Sequence, residues 1–109
     1  MIQINIAKDF SDTPGGRYIS EGENSGEKFR DEILLPKYEC AEQHNEKLEI
    51  NFDECWGFGT SFLEEAFGGL VRKLKKKGIL NRIILVSLED ETIPDNVKKY
   101  IKEAEEKIR

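Results

Sequence analysis

The sequence is poor in the residues that metal sites need. Its 109 residues include two cysteines, Cys40 and Cys55, and a single histidine, His44. Cys40 and His44 are four positions apart and would share a helix face, but a zinc site needs further ligands, and no second Cys or His pair lies nearby. We therefore expect no metal site and no cofactor. Both cysteines are predicted to be free thiols, the usual state in the cytosol.

Surplus positive charge and long apolar runs are also missing. Lys and Arg total 17 against 22 Asp and Glu, and the formal net charge is -5. A nucleic-acid binder needs a basic surplus, so no nucleic-acid partner is expected. A mean hydropathy of -0.60 predicts no membrane span. No apolar segment follows a basic start, so no secretory signal is visible. We expect a cytoplasmic protein with a protein partner.

Support for catalysis is absent too. A nucleophile such as Thr60 or Cys55 would need a positioned base, and His44 lies in a polar segment with no orienting signature. "PGGRY" is too short for a phosphate-binding loop and has no lysine, so it indicates a turn with Arg17 as a candidate contact. The chain is therefore not expected to be an enzyme.

Alternation of apolar and polar residues predicts strands. Ile2, Ile4 and Ile6 alternate with polar residues, and the PGGRY turn would reverse the chain into a short second strand over Arg17 to Ser20. The alternation of apolar and polar residues over 48–53 predicts a half-buried strand. The apolar run Ile83 to Val86 predicts a central strand covered on both sides.

Helical spacing marks three further segments. A helix is expected to begin near Ser25, with Asn24 as its cap, and to break or kink at Pro36. Apolar residues over 62–74 give the clearest helix, with Gly78 expected as its stop. A last helix follows Thr92. The expected fold is a single α/β domain over 1–109, ordered β-β-α-β-α-β-α, with helices over a mixed sheet whose later strands are parallel.

The stretch "GFGTSFLEEAFGGL" carries the candidate site. Ser61 and Glu64 have the spacing of a capping box, which would explain Ser61 as a helix start. Thr60 would then lie just outside the cap, exposed beside a helix N-terminus, where an added phosphate would meet free N–H groups. Trp56 and Phe58 either pack onto the core or present an anchor to a partner.

A pair of glycines interrupts this same helix. Gly68 and Gly69 each cost a helix about 1 kcal/mol relative to alanine. Close approach to the sheet or to a partner helix would explain them, and the sheet is the simpler explanation.

"PGGRY", "SGEKFRDEILLP" and "GFGTSFLEEAFGGLVRK" resemble, in order and spacing, the STAS-like domains of bacteria, which are distantly similar to the anti-sigma factor antagonists. In those antagonists a kinase phosphorylates a serine in the loop before the corresponding helix. Thr60 falls at that position, although Gly59 replaces the usual acidic neighbour and Phe62 the usual glycine. The resemblance thus implies a STAS-like fold with Thr60 as a candidate phosphoacceptor.

Two functions remain open at this point. By resemblance, the domain would be a regulatory, partner-switching module that docks on a histidine-kinase-type ATPase through the loop Trp56, Gly57, Phe58, Gly59, Thr60 and Ser61 and the helix that follows. Alternatively, the same glycine-rich loop and helix N-terminus would hold an anion, which would make the domain a small-molecule or nucleotide sensor.

Overall fold

A three-stranded parallel sheet organises the molecule. The computed structural model describes residues 1–108. Strands β1 (Ile2–Asn5), β2 (Leu48–Asn51) and β3 (Ile83–Val86) lie in the order β1-β2-β3, and both neighbouring pairs are parallel. Because parallel neighbours need crossover connections, helical segments link each strand to the next.

Within residues 1–108, four helices accompany the sheet. Helix α1 is Ile6–Asp9. Helix α2 spans 26–43 and is α-helical at Gly26–Phe29, a π-turn at Arg30–Leu34 and α-helical again at Leu35–Gln43. Helix α3 spans 60–74 and has the same construction, with Thr60–Leu63, a π-turn at Glu64–Gly68 and Gly69–Leu74. Helix α4 is Thr92–Glu106, and short 3-10 turns cover Ile19–Glu21 and Ile79–Asn81.

The predicted hairpin is wrong. After β1 the chain enters α1, whose start is capped by the Asn5 side chain accepting from the Lys8 N–H. The segment 17–20 leads into the 3-10 turn, where the Glu21 carboxylate accepts from the N–H groups of Arg17 and Tyr18. These local hydrogen bonds replace strand pairing, so the described sheet is parallel rather than mixed.

The position of β3 also differs from the prediction. β3 lies at the edge of the sheet and β2 at its centre. Ile84 is 37% exposed, so the apolar run does not mark a strand covered on both sides. A continuous apolar run cannot by itself distinguish a central strand from an edge strand.

Pro36 does not break α2, because the π-turn before it relieves the expected clash. A proline ring in an α-helix collides with the carbonyl four residues earlier. Here the Leu35 N–H bonds to the Arg30 carbonyl, five residues back, and the wider turn makes room for the ring. The helix is capped by Ser25, whose hydroxyl accepts from the Lys28 N–H, and not by Asn24.

The core lies between one face of the sheet and the long helices. Ile4, Leu48 and Ile50 supply the sheet side, and all are almost completely buried. The helices contribute the largest buried side chains, which are Phe29, Leu34, Phe62, Phe67, Leu70 and Ile101. The opposite face of the sheet carries polar residues, among them Gln3, whose side chain donates to Glu49 at 3.1 Å. The sheet therefore has one face covered by the helices and one more polar face.

Candidate functional site

The loop between β2 and α3 separates its two aromatic residues. Trp56 is 86% exposed, although its backbone N–H is held by the Asp12 carbonyl at 2.8 Å. Phe58 turns inward, with its ring centroid 5.5 Å from that of Phe52 and 5.8 Å from that of Phe62. Gly57 between them has φ +154°, which side-chain-bearing residues rarely adopt. This backbone turn lets one aromatic anchor the loop while the other meets solvent.

Thr60 and Ser61 are both exposed and form the first two residues of α3. The predicted capping box is wrong, because Gly59 is the N-cap and no side chain bonds to the first-turn amides there. The Leu63 N–H bonds to the Gly59 carbonyl at 3.2 Å, which starts the helix two residues earlier than the S-x-x-E pattern predicts. Both hydroxyls therefore lie at an accessible helix N-terminus.

Arg17 lies beside α3 and forms ion pairs with two of its glutamates. Its Nη1 lies 2.5 Å from Glu64 Oε1 and 3.2 Å from Glu65 Oε1, one turn beyond Ser61. The hydrogen bond to Glu64 raises the pKa of Arg17 although burial lowers it. Arg17 thus ties the segment before α2 to α3.

These contacts belong to a larger network of charged side chains. Arg72 pairs with Glu64 at 2.8 Å, and this hydrogen bond, together with that of Arg17, lowers the pKa of Glu64 despite its partial burial. Arg30 and Glu65 form an ion pair at the crossing of α2 and α3 and are only 5% and 8% exposed. The sequence patterns did not predict this network.

The glycine pair in α3 explains how the network fits. A Cβ at Gly69 would lie 2.5 Å from Nη1 of Arg30, and one at Gly68 would collide with the Glu64 carboxylate. The glycines therefore make room for charged side chains, including one from the neighbouring helix, rather than for the sheet. Glutamates four residues before each glycine, at 64 and 65, were the available sequence signal.

An acidic cleft lies beside the exposed tryptophan. Its volume is about 190 Å³, and it separates the β2–α3 loop from the β3–α4 loop. Carboxylates tie these loops together, because Asp53 accepts from the N–H groups of Leu88 and Glu89 at 2.9 Å, and Glu89 accepts from the Glu54 N–H at 2.7 Å. The cleft is lined by Phe52, Asp53, Cys55, Trp56, Gly57, Phe58, Ser87, Glu89, Asp90 and Ile93.

Cys55 is a poor nucleophile in this setting. Burial, followed by the charges of Asp12, Glu89, Asp53 and Glu54, raises the pKa of its thiol to about 11. Its Sγ lies 3.6 Å from the Ser11 carbonyl. The thiol therefore stays protonated at neutral pH.

The other cysteine pairs locally with the histidine. His44 Nδ1 lies 3.7 Å from Cys40 Sγ and 2.9 Å from the Cys40 carbonyl oxygen. Cys40 and Cys55 are both free thiols. Over residues 1–108 the structure shows no group of three or more His, Cys, Asp or Glu side chains arranged to hold a metal ion, nor a helix long and apolar enough to cross a membrane.

Comparison with known proteins places this architecture in a family. A family model described as a STAS-like domain of unknown function (DUF4325) matches residues 25–92, well over half of the chain. The match begins at the cap of α2 and ends at the start of α4, so it includes the loop with Trp56 and Thr60. No curated protein and no solved structure matches the chain. The chain therefore belongs to this family of STAS-like domains of unknown function, which confirms the resemblance seen in the sequence.

Proposed function

We propose that the domain is a regulatory protein-interaction module that binds a partner through the loop 56–61 and the first turn of α3. The observation that carries this proposal is the 86% exposure of Trp56. Tryptophan is strongly enriched among residues that dominate binding energy at protein interfaces. Its neighbours Phe58 and Asp12 fix the loop, so binding would require little ordering of the backbone.

Thr60 gives this surface a switch. Its side chain is exposed at the N-terminus of a 60–74 helix. A phosphate on the Thr60 oxygen would add about two negative charges, which the helix dipole favours, and would change the charge of the docking surface. By resemblance to the anti-sigma factor antagonists, the partner would be a histidine-kinase-type ATPase that phosphorylates Thr60 and then releases the domain.

A catalytic role has less support from the geometry. His44 lies before β2 and Thr60 after it, so the only histidine and the exposed hydroxyls stand at opposite ends of that strand. The Cys55 thiol, with a pKa of about 11, provides no thiolate. These features favour a binding module over an enzyme.

The competing function, a nucleotide or anion sensor, meets an electrostatic obstacle. Asp53 and Glu89 line the cleft beside Trp56, and the charge of Asp12 acts on Cys55, which lines the same cleft. Carboxylates this close repel phosphate groups. Thermal-shift measurements against ATP, GTP and inorganic phosphate separate the two functions, since a ligand at a hundred times its Kd adds about 2.7 kcal/mol of stability.

Affinity purification from the native cells tests the proposal. Tagged wild-type domain, Trp56→Ala, Thr60→Glu and the control Ile84→Ala would be compared by quantitative mass spectrometry. We expect an ATPase of the histidine-kinase type with the wild type and with Ile84→Ala, and its loss with Trp56→Ala and Thr60→Glu. Ile84 is a suitable control because it is also an exposed apolar residue but lies on β3.

Two results would contradict parts of the proposal. Absence of any such ATPase would remove the assigned class of partner. Unchanged binding of every protein by Thr60→Glu would remove the switch.

A further inference from the structure

Two exposed apolar side chains belong to the loops that form the acidic cleft: Trp56 lines it, and Leu88 lies between two of its lining residues, Ser87 and Glu89. Trp56 and Leu88 are each 86% exposed, and they belong to different loops. The Asp53 carboxylate bonds to the Leu88 N–H at 2.9 Å, so the second loop is fixed to the end of β2. Exposed apolar side chains held around a concavity in this way mark an interaction surface.

The size of the cleft indicates what kind of group it takes. At about 190 Å³ it is smaller than the roughly 300–1,000 Å³ of pockets for drug-sized molecules. The side chains of Phe52, Phe58 and Ile93 line its interior. A single long side chain from a peptide fits this small space and its mixed polar and apolar lining better than a whole nucleotide does.

The charge around the cleft indicates which type of side chain binds there. Asp53, Glu89 and Asp90 line it, and Glu54 adjoins it through the hydrogen bond of its N–H to Glu89. The ion pairs formed within residues 1–108 use other carboxylates, those of Asp31, Glu42, Glu46, Glu64 and Glu65. No Lys or Arg of the described chain neutralises the cleft, so its potential is negative.

We propose that the acidic cleft beside Trp56 binds an arginine-bearing basic segment of the partner protein. The planar guanidinium stacks on the Trp56 ring, where cation–π attraction adds to charge, and its donors face the carboxylates of Glu54 and Asp90. Leu88 covers the apolar part of the same segment. This inference rests on the proposed function, whose partner it describes by its chemistry.

The single tryptophan of the chain provides a direct probe. Because Trp56 is the only tryptophan, its fluorescence reports on this site alone. The full chain would be titrated with the peptide acetyl-Gly-Ser-Arg-Leu-Arg-Ser-Gly-amide, with the same peptide carrying Glu in place of Arg, and with free arginine. We expect the emission to change with a Kd below about 1 mM for the arginine peptide only, and the affinity to fall as salt rises from 50 to 500 mM, because screening weakens exposed charges.

Matched variants test which residues contribute to peptide binding. Glu54→Gln should weaken peptide binding about fivefold, which corresponds to the loss of about 1 kcal/mol from one exposed charge contact. Glu106→Gln removes the same charge at the far end of α4 and should leave the affinity unchanged. Leu88→Ala should weaken binding without altering its salt dependence.

Each contrary result has a definite meaning. Unchanged Trp56 emission up to 1 mM arginine peptide, or equal binding of the glutamate peptide, overturns the inference. Equal binding of free arginine shows a small-cation site and also overturns it. If any of these occurs while Trp56→Ala still loses the cellular partner, the proposed function stands and only the chemistry assigned to the partner is wrong.

Discussion

Arg30 and Glu65 form an ion pair at the point where α2 crosses α3, and the Arg30 guanidinium also donates to the Glu65 carbonyl at 3.3 Å. Nε of Arg30 bonds to Asp31 at 2.9 Å. Burial lowers the pKa of Arg30, but these carboxylates outweigh it and the pKa is raised. A buried charge held by several partners positions the two helices relative to each other.

Removing one member of this pair should be costly. Glu65→Gln leaves Arg30 without its buried counter-charge, since Asp31 is more exposed, and we expect a loss of about 3 kcal/mol in the free energy of unfolding, measured by urea denaturation. The double variant Arg30→Met, Glu65→Leu removes both charges and should be closer to wild type than Glu65→Gln. A double variant less stable than the single variant would contradict this interpretation.

Glu64 should make stability depend on pH. Its folded pKa is lowered, first by Arg72 and then by Arg17, so its contribution is present above the unfolded pKa and disappears as pH falls through the folded value. We expect Glu64→Gln to cost up to about 1 kcal/mol at pH 7. The difference from wild type should shrink between about pH 5 and pH 3. Urea midpoints at several pH values measure this, and a difference from wild type that does not change with pH would contradict it.

Gly26 should not tolerate alanine, although it lies in a helix. A Cβ there would lie 2.5 Å from the backbone carbonyl oxygen of Phe62, because α2 and α3 approach each other closely. We expect Gly26→Ala to destabilise the domain by about 2 kcal/mol, in the range of overpacked sites. Gly15→Ala is the control, since nothing lies within 4 Å of its added methyl group. Equal thermal midpoints for the two variants would contradict the close approach.

Alanine substitutions at Ser25, the observed cap of α2, and at Ser61, the predicted cap of α3, should differ in their effect on stability. Ser25 is fully buried and its hydroxyl accepts from the Lys28 N–H at 3.1 Å, so Ser25→Ala should cost about 1 kcal/mol. Ser61→Ala should cost little, because Gly59 rather than Ser61 caps α3. Chemical denaturation of both variants measures their stabilities. A larger loss of stability for Ser61→Ala than for Ser25→Ala would indicate that Ser61 caps α3.

The cysteines should differ in reactivity. With a pKa of about 11, on the order of one Cys55 thiol in a thousand is ionised at pH 8. Iodoacetamide followed by peptide mass spectrometry should therefore label Cys40 much faster than Cys55. In 6 M urea the burial and the ordered carboxylates are lost, and the two labelling rates should converge. Equal rates in the native protein would contradict the environment described for Cys55.

Sequence patterns located most helices and strands because those elements bury one regular face. The alternation at Leu48 and Ile50 and the helical spacing of Val97, Ile101 and Ala104 predicted β2 and α4. The capping box failed because Ser61 and Glu64 have the right spacing but Glu64 bonds instead to Arg17, which is distant in sequence, and to Arg72, further along the same helix. The hairpin failed because local side-chain hydrogen bonds of Asn5 and Glu21 compete with strand pairing.

The candidate site was predictable only in part. The glycine-rich loop and the exposure of Thr60 followed from turn and helix-start chemistry, whereas the cleft depends on two loops, 52–58 and 87–93, that come together only in the folded sheet. Nothing in the sequence pairs Asp53 with Leu88. The expectation that Gly78 ends α3 also missed its position, because Lys75 takes the left-handed conformation three residues earlier.

The two π-turns have a consequence for how this chain tolerates insertions and deletions. A buried apolar residue before each turn and one inside it are five positions apart, as in Phe29 to Leu34 and Phe62 to Phe67. Forcing the same residues into an uninterrupted α-helix would rotate everything after the turn by about 100°. Deleting Ile33 would instead bring Phe29 and Leu34 to a spacing of four positions, so Tyr38 and Ala41 would keep facing the core, but the Pro36 ring would meet the carbonyl four residues before it. The length of each turn, more than any one side chain in it, sets which stripe of the helix meets the sheet.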